Sequence, residues 1–300
     1  MELHIFDFDG TIFNSPVPST RLKTTCGAKL YDQLHVPLQS GGLGWFQSIN
    51  TLSPPAVPEK PGEKWYITPI LEKIRRLHQQ QKNNVMNDIP ESILIYVLTG
   101  RDEKFRRRIT ELLDNAGVLA MLNGVLLKPG EVYGTVKFKL ESIYNLIAKN
   151  QPTDVFYYED RVEQGRKLLE GINYLSKAVN KSSSSSGFVI TKMMQPDGGL
   201  FPFEGCSTNC STTEKDECAA AKRWWSDTRR RVDPYPLSCI KPFSFALIFV
   251  DQELTSLSGN MLTAKEEDAL VGALRYESDA YKASNHTPNK ANNEGRRNFR

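Results

Sequence analysis

The sequence lacks several features that would assign it to a membrane or secreted class. No stretch approaches the roughly 18 consecutive apolar residues of a membrane-spanning helix. The first residues, MELHIF, resemble a strand rather than a basic stretch followed by an apolar signal core. The five cysteines are an odd number spread over 300 residues, which argues against a disulfide scaffold. These absences predict a soluble intracellular protein, cytoplasmic or nuclear.

An excess of charge of one sign is also lacking. The 38 Lys and Arg residues against 35 Asp and Glu leave a formal charge of +3. Such a small net charge does not by itself indicate a polyanionic partner, so any basic binding surface must be local. The apolar fraction of 39% is enough for a sizeable core, which excludes a disordered chain.

Short apolar runs alternate with amphipathic segments in the first two thirds of the chain. Strands are predicted at residues 3–8, 92–98, 124–127 and 154–158, because each run is short and bounded by polar or turn residues. Helical periodicity is found in PILEKIRRLHQQQ, EKFRRRITELLDNAG and FKLESIYNLIAKN. This alternation predicts an α/β fold, a Rossmann-like parallel sheet with helices on both faces. In such sheets the site lies at the carboxyl ends of the strands.

Polar residues follow three of these strands. The segments are Asp7-Phe8-Asp9, Thr99-Gly100-Arg101 and Glu159-Asp160-Arg161. Burial of neighbouring carboxylates is costly unless a cation or a proton offsets their charge. Oxygen ligands with no histidine nearby favour Mg²⁺ over zinc. With a lysine on the helix before the fourth strand, this pattern predicts a magnesium site suited to phosphoryl transfer through an aspartyl-phosphate.

The motifs DFDGT, VLTGR, a lysine before the last of these strands, and YYEDR resemble the four signature motifs of the haloacid dehalogenase (HAD) superfamily of phosphatases. Further stretches, GWF, VLTGRDEKF, LLKP, TVKFK and FYYEDR, are similar to one branch, the HAD domain of fungal Swiss Army knife RNA repair proteins. The resemblance covers roughly the first 195 residues of the 300. It implies a Mg²⁺-dependent phosphomonoesterase that acts on phosphorylated RNA or DNA ends in nucleic-acid repair.

The resemblance also implies a role for each motif residue. Asp7 becomes the nucleophile and a magnesium ligand. Asp9 becomes the general acid and base, which contacts the metal through its backbone carbonyl. Thr99 holds the transferring phosphoryl oxygen, and Lys139 offsets its negative charge. The remaining motif residues complete the metal shell (Asp160 and Glu159) or bind the substrate (Gly100, Arg101 and Arg161).

Two positions leave alternatives open. Many members of the family have a carboxylate four residues after Asp160, but this sequence has Gln164 there, so Glu159 or Glu163 is expected to serve instead. The catalytic lysine is Lys139 by spacing. The neighbouring Lys137 and the Lys128-Pro129 pair remain alternatives to it.

The domain organisation is predicted as a phosphatase domain over residues 1–195, with a cap-like insertion at 15–64 and a serine-rich loop at 180–187. The insertion is rich in proline, glycine and serine and shows no sustained helical period, so a small irregular cap is expected. Within it, Trp45 and Phe46 either stack on a base near the site or pin the loop to the protein body.

The last third contains an accessory region of uncertain fold at 196–283. Its strand candidate is FSFALIFV, and Thr263 with Glu266 forms a capping box that opens a helix to about Leu274. The segment AAAKRWWSDTRRR is either a nucleic-acid groove or a solvated helix. Four cysteines are candidate zinc ligands, although their spacing is not that of a common zinc ribbon: Cys206, Cys210, Cys218 and Cys239. The basic tail at 284–300 is expected to be disordered.

The motifs leave two alternative functions open. The same four motifs are compatible with a phosphatase that acts on a small metabolite. They are also compatible with a catalytically weak module that binds phosphate, because the acidic position after Asp160 is missing.

Overall fold

The computed structural model describes residues 1–89, 92–130, 134–180, 189–194, 200–202, 240–250 and 261–285. The chain divides into two compact units. The first unit comprises Met1–Ser15 and Lys60–Gly259, and the second comprises Pro16–Glu59 and Asn260–Arg300. Within the described ranges, no helix is both long enough and apolar enough to cross a bilayer.

The strands described in the first unit form one sheet. In chain order they are β1 (Glu2–Phe6), β2 (Ile93–Asp102), β3 (Gly124–Lys128), β4 (Asp154–Glu159), β5 (Val189–Met194), β6 (Leu200–Pro202) and β7 (Ser244–Val250). Their spatial order is β3-β2-β1-β4-β7-β5-β6. All neighbours pair in parallel except β6, which is antiparallel to β5. The predicted α/β fold with a parallel sheet is therefore confirmed.

The described α-helices are α1 (Arg21–Thr25), α2 (Ala28–His35), α3 (Thr68–Met86), α4 (Arg106–Asn115), α5 (Thr135–Asn150), α6 (Val162–Asn180) and α7 (Ala264–Asn285). Short 3₁₀ turns occupy Leu38–Ser40, Trp45–Gln47, Ile49–Thr51, Glu63–Trp65, Glu103–Phe105 and Leu119–Met121. Helix α6 is absent from the sequence predictions. Its buried residues Leu168, Ile172 and Leu175 nevertheless recur at helical spacing, so a signal for it was present.

Alternate residues of β1 face opposite sides of the sheet, as the pleat requires. Leu3 and Ile5 belong to the apolar core that includes residues of α5 and α6. His4 and Phe6 lie on the other face, where their rings stack on Phe156 and Tyr158 with centroids 4.5 and 4.1 Å apart. The same alternation assigns the next odd-numbered residue, an aspartate, to the face covered by α5.

The sheet continues past residue 195, the predicted end of the phosphatase domain. Strand β7 lies between β4 and β5 and pairs in parallel with both. Its side chains Phe245, Leu247 and Phe249 are buried, so the strand needs neighbours on both edges and cover on its faces. The strand itself was predicted, but its long separation in sequence from β4 concealed which strands it joins.

The second unit shows more regular structure than the irregular cap predicted for residues 15–64. Helices α1 and α2 are only 5 and 8 residues long, too short for a sustained period to be seen in the sequence. Trp45 is fully buried and donates from its indole Nε1 to the Pro16 carbonyl at 2.8 Å. It therefore pins the loop, and the alternative that it stacks on a base is wrong. The core of this unit consists of Leu22, Leu34, Leu43, Trp45, Ala56, Leu262, Leu270, Val271 and Leu274.

Helix α7 begins with the predicted capping box. The Glu266 carboxylate accepts bonds from the Thr263 backbone N–H and hydroxyl at 2.8 Å, and the Glu266 backbone N–H donates to the Thr263 hydroxyl at 3.3 Å. The helix ends at Asn285 rather than near Leu274, because no stop signal interrupts it there. Ser284 is therefore helical, contrary to the prediction of a disordered tail from that residue.

Several predicted features lie outside the described residues. These are the serine-rich loop at 181–187, the tryptophan-arginine segment, the tail from 286 onward, and the four candidate zinc ligands Cys206, Cys210, Cys218 and Cys239.

Candidate active site

The carboxylate of Asp7 lies at the centre of a buried polar cluster at the carboxyl end of β1. Its backbone N–H continues the ladder by donating to the Tyr158 carbonyl at 3.0 Å, so the side chain takes the face covered by α5. One oxygen, Oδ2, lies 2.9 Å from Lys139 Nζ and 3.1 Å from Arg161 Nη2. The other oxygen, Oδ1, is buried and has no hydrogen-bond partner among the described residues.

Of the three candidate lysines, only Lys139 contacts Asp7 in the described structure. It is fully buried on α5 and lies 2.9 Å from both Asp7 Oδ2 and Glu159 Oε2. Lys137, two residues earlier, points to another side of the helix and pairs with Glu141 at 3.9 Å. Lys128 pairs with Asp102 at 3.2 Å at the end of β3.

Glu159, the last residue of β4, is fully buried beside this lysine. Its Oε2 accepts bonds from Lys139 at 2.9 Å, Gln164 Nε2 at 2.7 Å and the Tyr157 hydroxyl at 3.2 Å. Its Oε1 accepts from the backbone N–H and the Nε of Arg161 at 3.2 and 3.3 Å. The other acidic alternative is not part of the cluster, because Glu163 is 84% exposed and pairs with Lys167.

Asp160 lies directly under the loop that follows β1. Gly10, with a φ of +72°, lets the chain turn there, and a Cβ on this glycine would be only 2.2 Å from Asp160 Oδ2. No other residue type fits this position without displacing the carboxylate. Asp160 Oδ1 is buried without a hydrogen-bond partner among the described residues; Arg161 Nε is 3.8 Å away.

Asp9 is held by Arg101, which extends from the end of β2. Arg101 Nε donates to both carboxylate oxygens at 3.1 Å, and its Nη2 donates to Oδ1 at 2.8 Å. The guanidinium is buried and lies 4.9 Å from the centre of the Phe105 ring. Burial alone would raise the pKa of Asp9, but the charge and hydrogen bonds of Arg101 outweigh it and hold the pKa below its usual value.

Thr99 and Gly100 shape the end of β2. Thr99 lies two residues beyond the last position that pairs with β1, and its hydroxyl accepts the backbone N–H of Arg101 at 3.1 Å. A Cβ at Gly100 would approach Thr135 Cγ2 to 2.5 Å, so glycine allows the first turn of α5 to lie close to this strand. This close approach brings the helix that carries Lys139 against the end of the strand.

The cluster has more acidic than basic groups. Four carboxylates face three cations and leave one net negative charge when all are ionised; the acids are Asp7, Asp9, Glu159 and Asp160, and the bases are Arg101, Lys139 and Arg161. Burial and the charge of Glu159 raise the pKa of Asp7 to about 6. Burial and the charges of Glu159 and Asp7 raise the pKa of Asp160 to about 8. A further cation at this place would relieve the repulsion.

The donor set fits a hard divalent cation. Oxygens of Asp7, Glu159 and Asp160 lie within 4.8 Å of one another, and no sulfur or imidazole donor belongs to this group within the described part of the chain. Two of the carboxylate atoms, Oδ1 of Asp7 and Oδ1 of Asp160, are buried acceptors without donors. Oxygen donors of this kind favour Mg²⁺ or a similar ion over zinc.

Sequence reasoning brought most of this cluster together and overlooked two members. Tyr157 and Gln164 were not assigned to the site, yet both donate to Glu159. Tyr157 could have been found from the alternation of β4, which points residues 157 and 159 to the same face. The motif spacing marked the position of Gln164, four residues after Asp160, but it predicted a carboxylate there and assigned no role to an amide.

Comparisons of this chain with protein-family models, with curated proteins and with solved structures find no match. The assignment of a function therefore depends on the chemistry of the cluster and on the resemblance of its motifs.

Proposed function

We propose that this protein is a magnesium-dependent phosphomonoesterase that forms an aspartyl-phosphate on Asp7. The observation that carries the proposal is the environment of that carboxylate. One oxygen is held by Lys139 and Arg161 at 2.9 and 3.1 Å, and the other is buried without a donor among the described residues. Attack of a carboxylate on a phosphoryl group needs cations close by, because negative charge spreads over the non-bridging phosphoryl oxygens in the transition state.

In the proposed reaction, Asp7 Oδ2 attacks phosphorus and the bond between phosphorus and the ester oxygen breaks. The leaving oxygen takes up a proton from solvent. Asp9, the carboxylate paired with Arg101, takes a proton from the water that later releases inorganic phosphate and restores the Asp7 carboxylate, and it passes that proton to solvent. Lys139 and Arg161 offset the charge of the phosphoryl group. Thr99 contributes a hydroxyl at the end of the neighbouring strand.

Asp7 and Asp160 would hold the metal through the two oxygens that lack donors. When bound, Mg²⁺ would supply charge neutralisation and orientation of the phosphoryl group. The excess of one carboxylate over the cations makes the cluster suited to retain such an ion, and the ion would in turn favour a dianionic phosphate monoester.

We further propose that the substrate is a phosphorylated end of RNA or DNA. The support is the resemblance of the motifs to the HAD domain of RNA repair proteins, together with the tryptophan-arginine segment. Base stacking and phosphate contacts of such a segment would act only on a substrate long enough to reach it.

The decisive experiment measures phosphate release from a panel, with and without Mg²⁺. The panel holds 5′- and 3′-phosphorylated RNA and DNA oligonucleotides, sugar phosphates, mononucleotides and a generic aryl phosphate. We expect Mg²⁺-dependent release from an oligonucleotide, and competition by that oligonucleotide against the aryl phosphate. Absence of any Mg²⁺-dependent release would contradict the phosphatase function. Release from metabolites alone would contradict the nucleic-acid substrate.

A charge-removal variant sharpens the substrate assignment. Replacement of Arg223, Arg229, Arg230 and Arg231 by glutamine should weaken oligonucleotide turnover and flatten its salt dependence, because each lost phosphate contact removes about one released counterion. Hydrolysis of the aryl phosphate should hardly change and is the internal control. An unchanged salt slope on oligonucleotides would remove this segment from the substrate path.

A further inference from the structure

Glu159 differs from the other two carboxylates of the acidic group in having no unused acceptor capacity. It accepts five hydrogen bonds, from Tyr157, Gln164, Lys139 and the backbone and side chain of Arg161, all between 2.7 and 3.3 Å. A carboxylate offers about four lone-pair directions. A metal ion at Glu159 would therefore have to displace donors that are already in place.

Asp7 and Asp160 show the opposite condition. Each retains one buried oxygen, Oδ1, without a donor among the described residues. The three carboxylates are therefore close enough to share an ion, but only two of them have an oxygen free for it.

The donors on Glu159 also determine where the neighbouring cations lie. Lys139 Nζ lies 2.9 Å from both Glu159 and Asp7, and it lies 5.7 Å from the centre of the Tyr157 ring. Arg161 makes a matching connection, with Nε on Glu159 and Nη2 on Asp7. Glu159 therefore holds both cations against one oxygen of Asp7.

Gln164 contributes to this arrangement as a donor. Its amide Nε2 lies 2.7 Å from Glu159 Oε2. A carboxylate at position 164 would place a second negative charge against the same buried oxygen, so an amide suits this position when residue 159 is a glutamate. The apparent departure at Gln164 and the presence of Glu159 thus form one matched pair.

We propose that Glu159 is a positioning residue rather than a metal ligand, and that Tyr157 and Gln164 orient it so that Lys139 and Arg161 stay on the attacking oxygen of Asp7. The catalytic part of this inference rests on the proposed phosphatase function. The part that concerns the cation does not, because it is measurable without turnover.

The first experiment measures the rise in melting temperature of the purified chain on titration with Mg²⁺. Asp160→Asn should lose this response, whereas Glu159→Gln should keep it, with an apparent Mg²⁺ affinity lowered by no more than about a hundredfold, the usual effect of a residue that lies outside the ligands and orients them. Loss of the Mg²⁺ response in Glu159→Gln equal to that in Asp160→Asn would overturn the proposal. Absence of any response in the wild-type chain would overturn it as well.

The second experiment separates turnover from binding. At saturating Mg²⁺, Glu159→Gln, Tyr157→Phe and Gln164→Leu should lower kcat on an aryl phosphate by about tenfold to a hundredfold, while KM changes little and a Mg²⁺ response persists. Gln164→Glu should be worse than Gln164→Leu because it adds a charge. Tyr96→Phe, which removes a hydroxyl from β2, is the matched control and should keep wild-type kcat.

The outcomes distinguish this inference from the proposed function. A wild-type chain that responds to Mg²⁺ but hydrolyses nothing refutes the phosphatase function. The Mg²⁺ responses of Glu159→Gln and Asp160→Asn then test by themselves whether Glu159 is a metal ligand. Unchanged kcat in all three positioning variants of an active enzyme would refute the positioning role and leave the phosphatase intact.

Discussion

Each of the two units buries a glutamate whose carboxylate is fully hydrogen-bonded, but the carboxylates around the two glutamates differ. In the second unit, Glu267 is fully buried, and its carboxylate accepts bonds from the Ser19 backbone and hydroxyl at 2.6 Å and from Arg21 at 3.0 and 3.2 Å. At the carboxyl edge of the sheet, Glu159 is equally saturated, but its neighbours Asp7 and Asp160 each keep an oxygen without a donor among the described residues. Buried polar groups are normally satisfied, so the incomplete set is the one that indicates a ligand site.

The largest effect is expected from the central carboxylate. Asp7→Asn should reduce turnover by roughly a thousandfold or more, because the amide cannot attack phosphorus. The fold should persist, since the amide has nearly the same size and relieves the repulsion from Glu159. Phosphate release and a melting curve test this prediction together. Glu267→Gln is the comparison in the second unit, and wild-type turnover by Asp7→Asn would refute the mechanism.

The two lysines of α5 provide the next comparison. Lys139→Met removes a buried cation between two carboxylates and should cost about 3–5 kcal/mol in the free energy of unfolding, together with most of the activity. Lys137→Met removes a partly exposed partner of Glu141 and should cost less than about 1 kcal/mol. Urea unfolding of both variants measures the difference. Equal losses in the free energy of unfolding would mean that the burial of Lys139 between two carboxylates adds nothing to stability.

A smaller loss is expected in the second unit. Glu267→Gln leaves Ser19 and Arg21 without their charged acceptor and should cost about 1–3 kcal/mol, the usual range for a hydrogen bond to a buried charge. Turnover of the folded protein should not change. Denaturant unfolding combined with activity below the transition checks both halves, and a stability equal to wild type would show that this carboxylate is not needed in the core.

The smallest effect concerns pH and His4, on the face of β1 opposite Asp7. Burial lowers the pKa of His4 from its ordinary value of 6.5, despite the bond to Glu2. The folded protein therefore binds this proton less readily than the unfolded chain does, and stability should fall as pH decreases below 6.5. His4→Phe, which preserves stacking on Phe156, should make melting temperature less dependent on pH between 7.5 and 5. An unchanged slope would contradict the assignment.

The sequence was sufficient to predict elements whose signal is local. The strand before Asp7, the strand that ends at Glu159 and the periodicity of α5 could each be seen in a short window, because alternation and helical spacing depend on near neighbours. The rule that sites lie at the carboxyl ends of parallel strands then brought Asp7, Thr99 and Asp160 to one edge.

Other features were beyond local patterns. Strand β7 lies between β4 and β5 although it is far from both in the chain. Residues 16–59 likewise share a core with α7, which lies more than 200 residues later. Short helices such as α1 give little periodic signal, and the end of α7 carries no stop residue where one was expected.

The sequence by itself determined the α/β architecture and the set of acidic and basic groups that a site at the sheet edge would contain. Only the tertiary structure decided how those groups are paired: Lys139 rather than Lys137 or Lys128 on Asp7, Arg101 on Asp9, and Tyr157 with Gln164 on Glu159. The reason is physical. Backbone periodicity follows from the order of residues, whereas hydrogen bonds between side chains depend on the distances and directions that exist only after strands and helices have packed.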